Sequence, residues 1–373
     1  MAWFRSPLAL LCDFLFIACS FLLLFPLDKN ITLTSFRQIP PGNETTRIAD
    51  SNCTRYNARF PSKGEVLHAW VYVPDGRGEA GLPVILTATG LGSQKDLGLE
   101  PLAEALCGGG LVAFVFDYRY FGGSTGSPRH VTLPWLQIED WISTLTYVTS
   151  VDPSKHPQEN SWQAAIDPSR VVLFGSSYGG AHVLSVGGKV NGTVAGKAVK
   201  GILAQVPLLD GRVSSRRALK NRSALTSVRM LWALLADLAR WLVGMNPASI
   251  PVAAKVSEGG MAAMALSDED YALWRGKIPT RPLGGWQNEL PARVLIGPMA
   301  YRPIQHLGEN PYPTLIVSAT QDFMHDASLP REAVKLLPQG VLHEEDCTHF
   351  DVYTDAVRQR VIQRMMAFVA EHT

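Results

Sequence analysis

Three side chains able to perform acyl chemistry stand in the order Ser177, Asp322, His349. Ser177 is the centre of Gly175-Ser-Ser-Tyr-Gly179, a G-x-S-x-G pattern between the apolar run Val171–Phe174 and the helical stretch 181–186. A serine hydroxyl at a tight strand-to-helix turn is pushed out of a sheet, and glycines two places to either side permit the close packing this needs. Ser176 is the neighbour that could be mistaken for it, but Ser177 is central. A hydroxyl is a weak nucleophile until a base takes its proton and a third group orients the base. His349, in Cys347-Thr-His-Phe-Asp-Val352, follows the last strand and is the expected base; among nine histidines its rivals are His325 and His343. Thr314-Leu-Ile-Val-Ser-Ala-Thr-Gln-Asp322 puts a carboxylate just past a strand, so Asp322 is the expected acid, with Asp326 as the alternative or a helix cap. The oxyanion formed during acyl transfer needs backbone donors: the N–H of Tyr178, which follows the nucleophile, and that of Leu91 in Thr89-Gly-Leu-Gly92.

The elements that must hold these residues alternate. His68–Val73 and Val84–Ala88 are short β-branched runs read as antiparallel opening strands, separated by Pro74, Asp75 and glycines. Leu99–Leu106 reads as a helix, Leu111–Phe116 as a strand, Leu136–Val148 as a helix, and Val171–Phe174 and Gly201–Val206 as strands. The pattern breaks over 207–312 and resumes with Thr314–Ser318, a helix near Leu329–Leu337, the strand Val341–His343 and a final helix Thr354–His372. Strands apolar on both faces that alternate with helices predict an α/β fold with a mostly parallel sheet covered on both sides. The interruption predicts a cap inserted into that sheet. Within it, Val228, Leu231, Trp232, Leu235, Leu238 and Leu242 repeat at helical spacing over 225–243, an apolar face expected to pack on the core. Trp232, Trp241, Trp274 and Trp286 make the cap aromatic, suited to an apolar acyl chain.

Thr89-Gly-Leu-Gly-Ser-Gln-Lys-Asp, Phe116-Asp-Tyr-Arg-Tyr-Phe-Gly-Gly-Ser, Gly175-Ser-Ser-Tyr-Gly-Gly-Ala-His-Val-Leu and Thr348-His-Phe-Asp-Val-Tyr together resemble the α/β-hydrolase superfamily. The similarity, over residues 58 to 372, is to dienelactone-hydrolase-like and peptidase-S15-like esterases and to fungal polyketide acyltransferases. It implies the α/β-hydrolase fold with a nucleophile at Ser177, an acid at Asp322 and a base at His349. One departure stands out, because many relatives carry His-Gly where Thr89-Gly90 stands.

The chain has 373 residues, 34 Lys+Arg against 33 Asp+Glu, and 46% hydrophobic residues. That balance gives no polyanion-binding face, so no nucleic-acid partner is expected. No cofactor fingerprint is found, and none of the five cysteines has metal-ligand spacing, so no cofactor or metal is expected. Residues 1–27 carry Arg5 and then an apolar run, read as a signal peptide or retained signal anchor, and 28–58 read as a polar stalk before a hydrolase domain at 59–373. Sequons at Asn30, Asn43, Asn52, Asn191 and Asn221 add to an expected place in the secretory pathway, membrane-anchored with a lumenal or extracellular catalytic domain, or secreted. Cys53, Cys107 and Cys347 leave room for one disulfide at most. The sequence reading is a serine hydrolase acting on an ester or thioester of an apolar acyl or polyketide substrate. Its alternatives are an acyltransferase, a peptidase, and a non-catalytic binding protein on the same fold. The last would be expected to have lost one of the three catalytic residues, and all three are present.

Overall fold

The structure is a computed structural model and describes residues 45–48, 51–76, 81–155 and 161–373. Its centre is a nine-stranded sheet built from β1 (Thr46–Ile48), β2 (Cys53–Ser62), β3 (Glu65–Pro74), β4 (Leu82–Ala88), β5 (Val112–Phe116), β6 (Ile166–Ser176) and β7 (Val199–Gln205). The cap contributes the short β8 (Ser249–Ile250), β9 (Ala253–Lys255), β10 (Met264–Leu266) and β11 (Leu290–Pro291), after which β12 (Thr314–Ala319) and β13 (Gly340–Glu345) complete the main sheet. The spatial order is β1-β2-β3-β5-β4-β6-β7-β12-β13. Pairing is antiparallel from β1 to β5 and parallel from β5 to β13.

Alternation along each central strand sends neighbours to opposite faces. In β6, Val171 and Leu173 join the helices Pro134–Thr149 and Tyr178–Val190 on one side, while Val172 and Phe174 join Glu100–Gly108 and Asp355–His372 on the other. Both faces are therefore dry, which is why these strands read as continuous apolar runs. A disulfide between Cys53 and Cys107 ties the start of β2 to the end of the helix Glu100–Gly108, and among the described residues Cys347 is the free cysteine.

Several expectations are corrected. Part of the expected stalk is sheet: Thr46–Ile48 is the edge strand and Cys53–Ser62 lies next to it, and Cys53–Ser62 reads as polar because one of its faces, carrying Arg55, Asn57 and Arg59, remains partly open to solvent. Only one of the two strands expected to be antiparallel is so. Leu82–Ala88 runs parallel between β5 and β6, since the chain leaves β3 for the middle of the sheet before returning to β5. The cap helix forms at Ala224–Leu242, yet Val228, Leu231 and Trp241 on it are exposed, and its buried positions are Thr226, Met230 and Asp237. Asp237 explains the orientation, because its carboxylate accepts from Arg293 Nε at 2.8 Å and Nη2 at 3.0 Å. The expected secretory, membrane-anchored location is corrected as well: among the described residues no helix is long and apolar enough to cross a membrane. The leader 1–27, Asn30 and Asn43 lie outside the described residues, while Asn52 and Asn191 are exposed and Asn221 is half-buried.

Candidate active site

Ser177 lies between β6 and the helix Tyr178–Val190 with φ 57° and ψ −116°, a backbone conformation that costs a non-glycine residue on the order of 1–3 kcal/mol. The surroundings impose it. Ser177 N–H donates to Gln205 O on β7 at 2.8 Å, and Ser177 O accepts from Leu208 N at 3.2 Å. The flanking glycines are required by contact: a Cβ on Gly175 would lie 2.1 Å from Gly179 O, and one on Gly179 would lie 2.5 Å from Thr89 O. The G-x-S-x-G spacing thus records two backbone approaches as well as a turn.

His349 sits in the loop after β13 with its Nε2 at 3.1 Å from Ser177 Oγ and its Nδ1 at 2.7 Å from Asp322 Oδ2. Asp322, three residues past β12, accepts at its other oxygen from Met324 N at 2.7 Å and His325 N at 2.9 Å. Burial alone would raise the Asp322 pKa. The His349 ring beside it, then His325 and its backbone N–H, outweigh that and hold the carboxyl well below the usual carboxylate range. An ionised carboxylate only accepts, so the proton between these groups belongs on Nδ1, and the Nε2 lone pair faces the serine hydroxyl. The structure thus brings Ser177, Asp322 and His349 into one hydrogen-bonded line, all buried.

The rivals are engaged elsewhere. Asp326 turns to Ser328, accepting from its N at 3.0 Å and its Oγ at 2.8 Å. His343 pairs with Glu345 at 2.8 Å. Ser176 Oγ contacts Tyr353 Oη at 2.5 Å and accepts from Gln205 Nε2 at 3.0 Å. His325, pushed down to about 4 chiefly by burial, lies with its ring 5.0 Å from that of His349. Burial pushes the Cys347 thiol up to about 12, and Cys347 packs in a small cluster with Val206, Ala319 and Val352. Asp322, His325 and His349 each offer a ligand atom within 4.8 Å of one another, the one such group of three among the described residues. Two of its members are already bonded to each other.

Tyr178 is the first residue of its helix, so its N–H has no acceptor within the helix and points to the helix N-terminal side where Ser177 stands. The loop carrying Leu91 passes directly over the serine: a Cβ on Gly90 would lie 3.1 Å from Ser177 Cβ and 3.5 Å from its Oγ. Thr89, the departure from the family pattern, closes this loop by donating from Oγ1 to Ser93 O at 2.9 Å. Beyond it the loop is pinned by contacts that sequence reading missed. Asp96 accepts from Leu283 N at 2.6 Å, and Gln94 Nε2 donates to Leu283 O at 2.7 Å. Trp286 Nε1 donates to Gly92 O at 2.8 Å. Below the loop, the buried pair Lys95–Asp117 is reinforced by donation from Lys95 N at 2.8 Å and Gly123 N at 2.9 Å to the Asp117 carboxylate. The motif runs beginning at Thr89 and Phe116 are therefore one clamp, closed from above by the cap. The loop holding His349 is tied to the cap too, through Thr348 Oγ1 to Asp270 at 2.8 Å. Asp96, Gln94 and Lys95 lay inside a quoted motif, whereas Leu283, Trp286 and Asp270 carry no local signal.

A narrow pocket opens at Ser177. Leu91, Leu97, Met264, Trp274, Ile278 and Phe350 give it apolar walls, and Lys277 and His349 are among its polar lining. Of the four cap tryptophans, Trp274 and Trp286 are buried near the site, while Trp232 and Trp241 face outward.

The sequence pattern described as the alpha/beta hydrolase family matches residues 87–363. The chain is 27% identical over 313 residues to the quorum-quenching protein AidA of Acinetobacter baumannii, covering 84% of this chain and 93% of that one. It is 22% identical over 325 residues to the polyketide transferase af380 of Aspergillus fumigatus, covering 85% and 98% respectively. Among solved structures, the alpha/beta hydrolase GrgF from Penicillium sp. sh18 superposes with a TM-score of 0.65 at 19% identity, covering 85% of this chain and 98% of that one.

Proposed function

The chain belongs to the alpha/beta hydrolase family and is an enzyme of its hydrolase or acyltransferase kind, and on that premise we propose that it is a serine hydrolase cleaving an ester or thioester of an apolar acyl or polyketide acid. The observation that carries this reading is the continuous line from Ser177 Oγ through His349 to Asp322, with contacts of 3.1 and 2.7 Å. In the acylation step Ser177 Oγ bonds to the substrate carbonyl carbon as its proton passes to His349 Nε2. Asp322 stabilises the imidazolium, and the carbonyl oxygen takes its negative charge towards the N–H groups of Tyr178 and Leu91. Collapse of the adduct breaks the bond to the alcohol or thiol, which leaves with the proton from His349. Water then repeats the sequence on the acyl-enzyme and returns Ser177 to its free form.

Support for an apolar acyl group comes from the pocket wall, where leucine, methionine and aromatic side chains outnumber polar ones. The same wall favours a second reading, transfer of the acyl group to an alcohol, because a narrow apolar pocket filled by an acceptor admits little water. Steady-state turnover of activated esters by wild type and Ser177→Ala tests the mechanism, with loss of several orders of magnitude in kcat expected for the variant. Activity in Ser177→Ala close to wild type would refute it. Titration with a hydrophobic alcohol separates the two readings: under transfer the acylated alcohol rises as free acid falls, and under hydrolysis free acid is unchanged.

A further inference from the structure

Lys277 follows the cap helix Asp268–Gly276 and lines the pocket beside Ser177 and His349. Its stem lies along the oxyanion loop, close enough that a Cβ on Gly98 would sit 3.1 Å from Lys277 Cδ. Its Nζ rests on an aromatic floor, 3.3 Å from the ring centre of Tyr353 and 4.8 Å from that of Phe350. Both rings belong to the catalytic neighbourhood: Phe350 directly follows the base, and Tyr353 contacts Ser176, the residue before the nucleophile. Lys95 and Arg119, both buried in the core beneath the site, each have an acid, Asp117 and Asp140. Lys277 is half-buried, and among the described residues no acid pairs with it. No acid lines this pocket, whose other titratable side chains are His349 and Tyr353, and burial with no carboxylate to offset it pushes the Lys277 ammonium down to about 7.

A cation half-buried against two rings, with no counter-ion, loses part of its hydration without compensation unless something brings the opposite charge. Apart from Lys277, the wall away from Ser177, His349 and the 89–93 turn is formed mainly by Leu97, Leu99, Met264, Trp274, Ile278 and Phe350, so the group that meets Lys277 is carried by a largely apolar ligand. We infer that Lys277 is a specificity-determining residue that receives an anionic oxygen, a carboxylate, on the acyl part of the substrate. The substrate class is then an ester or thioester of an apolar acid that bears a second, acidic oxygen function. A hydrocarbon acid with no such group would bind less well. The alternative of a lone lysine that only covers the rings is what the test below separates.

This inference rests on the serine-hydrolase reading, and the experiment keeps the two apart. Two series of p-nitrophenyl esters are compared at neutral pH: simple alkanoates, and half-esters of dicarboxylic acids from glutarate to suberate matched to them in length. The readout is the ratio of kcat/KM for the half-ester over that for the alkanoate. Wild type should favour at least one half-ester, and Lys277→Met and Lys277→Gln should lower that ratio by about 10-fold or more, the value of a hydrogen bond to a charged group. Lys277→Arg, which keeps a cation, should retain most of it. Fluorophosphonate labelling at Ser177 is run on each protein. Labelled variants whose ratio stays within about twofold of wild type at every chain length, too small a change for a lost charged contact, would overturn the inference alone. Active wild-type protein left unlabelled at Ser177 would overturn the serine reading and the inference with it.

Discussion

Gly90→Ala isolates the geometry of the loop proposed to hold the oxyanion from the rest of the site. Gly90 has an ordinary backbone conformation, so alanine introduces no φ strain there, and the only change is a methyl group facing Ser177. That methyl would stand 3.1 Å from Ser177 Cβ and 3.2 Å from Ser176 O, inside the 3.4 Å where ordinary contact begins. The serine side cannot yield, because Ser177 is held by Gln205 O at 2.8 Å and by the helix behind it. The loop must therefore lift by a few tenths of an ångström, against its tethers from Trp286 and Leu283. Leu91 N–H moves with it. Complete loss of one oxyanion donor costs about 100- to 1,000-fold in kcat, so a partial displacement should lower kcat by about 10- to 100-fold. Turnover of a p-nitrophenyl ester is measured alongside thermal unfolding, with Gly108→Ala as control because a Cβ there meets nothing closer than 4.0 Å. The Tm of Gly90→Ala should fall by no more than about 5 °C, since one tight contact is worth about 1–2 kcal/mol in a domain of this size. An unchanged kcat in a folded Gly90→Ala protein would refute the placement of the loop over the developing oxyanion.

Asp322→Asn should lower kcat by about 1,000- to 10,000-fold, because an amide can bond the wrong His349 tautomer, and Asp326→Asn should cost much less; equal losses in steady-state assays would reverse the acid assignment. Since the Asp322 pKa is depressed in the fold, its stabilising contribution is complete above the ordinary carboxylate pKa and is lost as pH falls through the lower native value. The stability difference between wild type and Asp322→Asn, read by urea unfolding, should therefore narrow as pH falls below the ordinary carboxylate pKa, and the acid limb of kcat should not report Asp322. Asp117→Asn leaves the wholly buried Lys95 ammonium without its partner and should destabilise the protein by about 3–5 kcal/mol, read by urea unfolding. Trp286→Phe removes the 2.8 Å bond to Gly92 O and should lower kcat about 10-fold while leaving KM nearly unchanged; a KM effect alone would mean that Trp286 only shapes the pocket.

What the sequence disclosed follows from where the information sits. The turn at Ser177 is legible because its glycines are forced by contacts within five residues, Gly175 against Gly179, and so leave a contiguous pattern. Asp322 and His349 are legible because the last parallel strands end just before them, a consequence of chain order alone. Spatial order is different. Nothing local tells that Leu82–Ala88 enters the sheet between β5 and β6. Cys53–Ser62 gives no strand signal because a strand near the sheet edge with one open face carries the polar residues expected of a linker. The cap helix shows in its period, but the period marks an apolar stripe without telling whether Asp237 or Val228 faces inward. The clamp joining Asp96 to Leu283 spans 187 residues, and Lys277 is a single lysine in a polar stretch, so neither leaves a pattern in the chain.

The central claim is that the acyl group passes through Ser177. The most direct measurement is acid quench of the enzyme within its first turnovers of a slowly deacylating ester, followed by mass spectrometry of the intact chain and of its peptides. A mass increase equal to the acyl group, mapped to the peptide holding Ser177 and absent from Ser177→Ala and His349→Ala, is the predicted result. An adduct on another residue, or full ester turnover by Ser177→Ala, would contradict it.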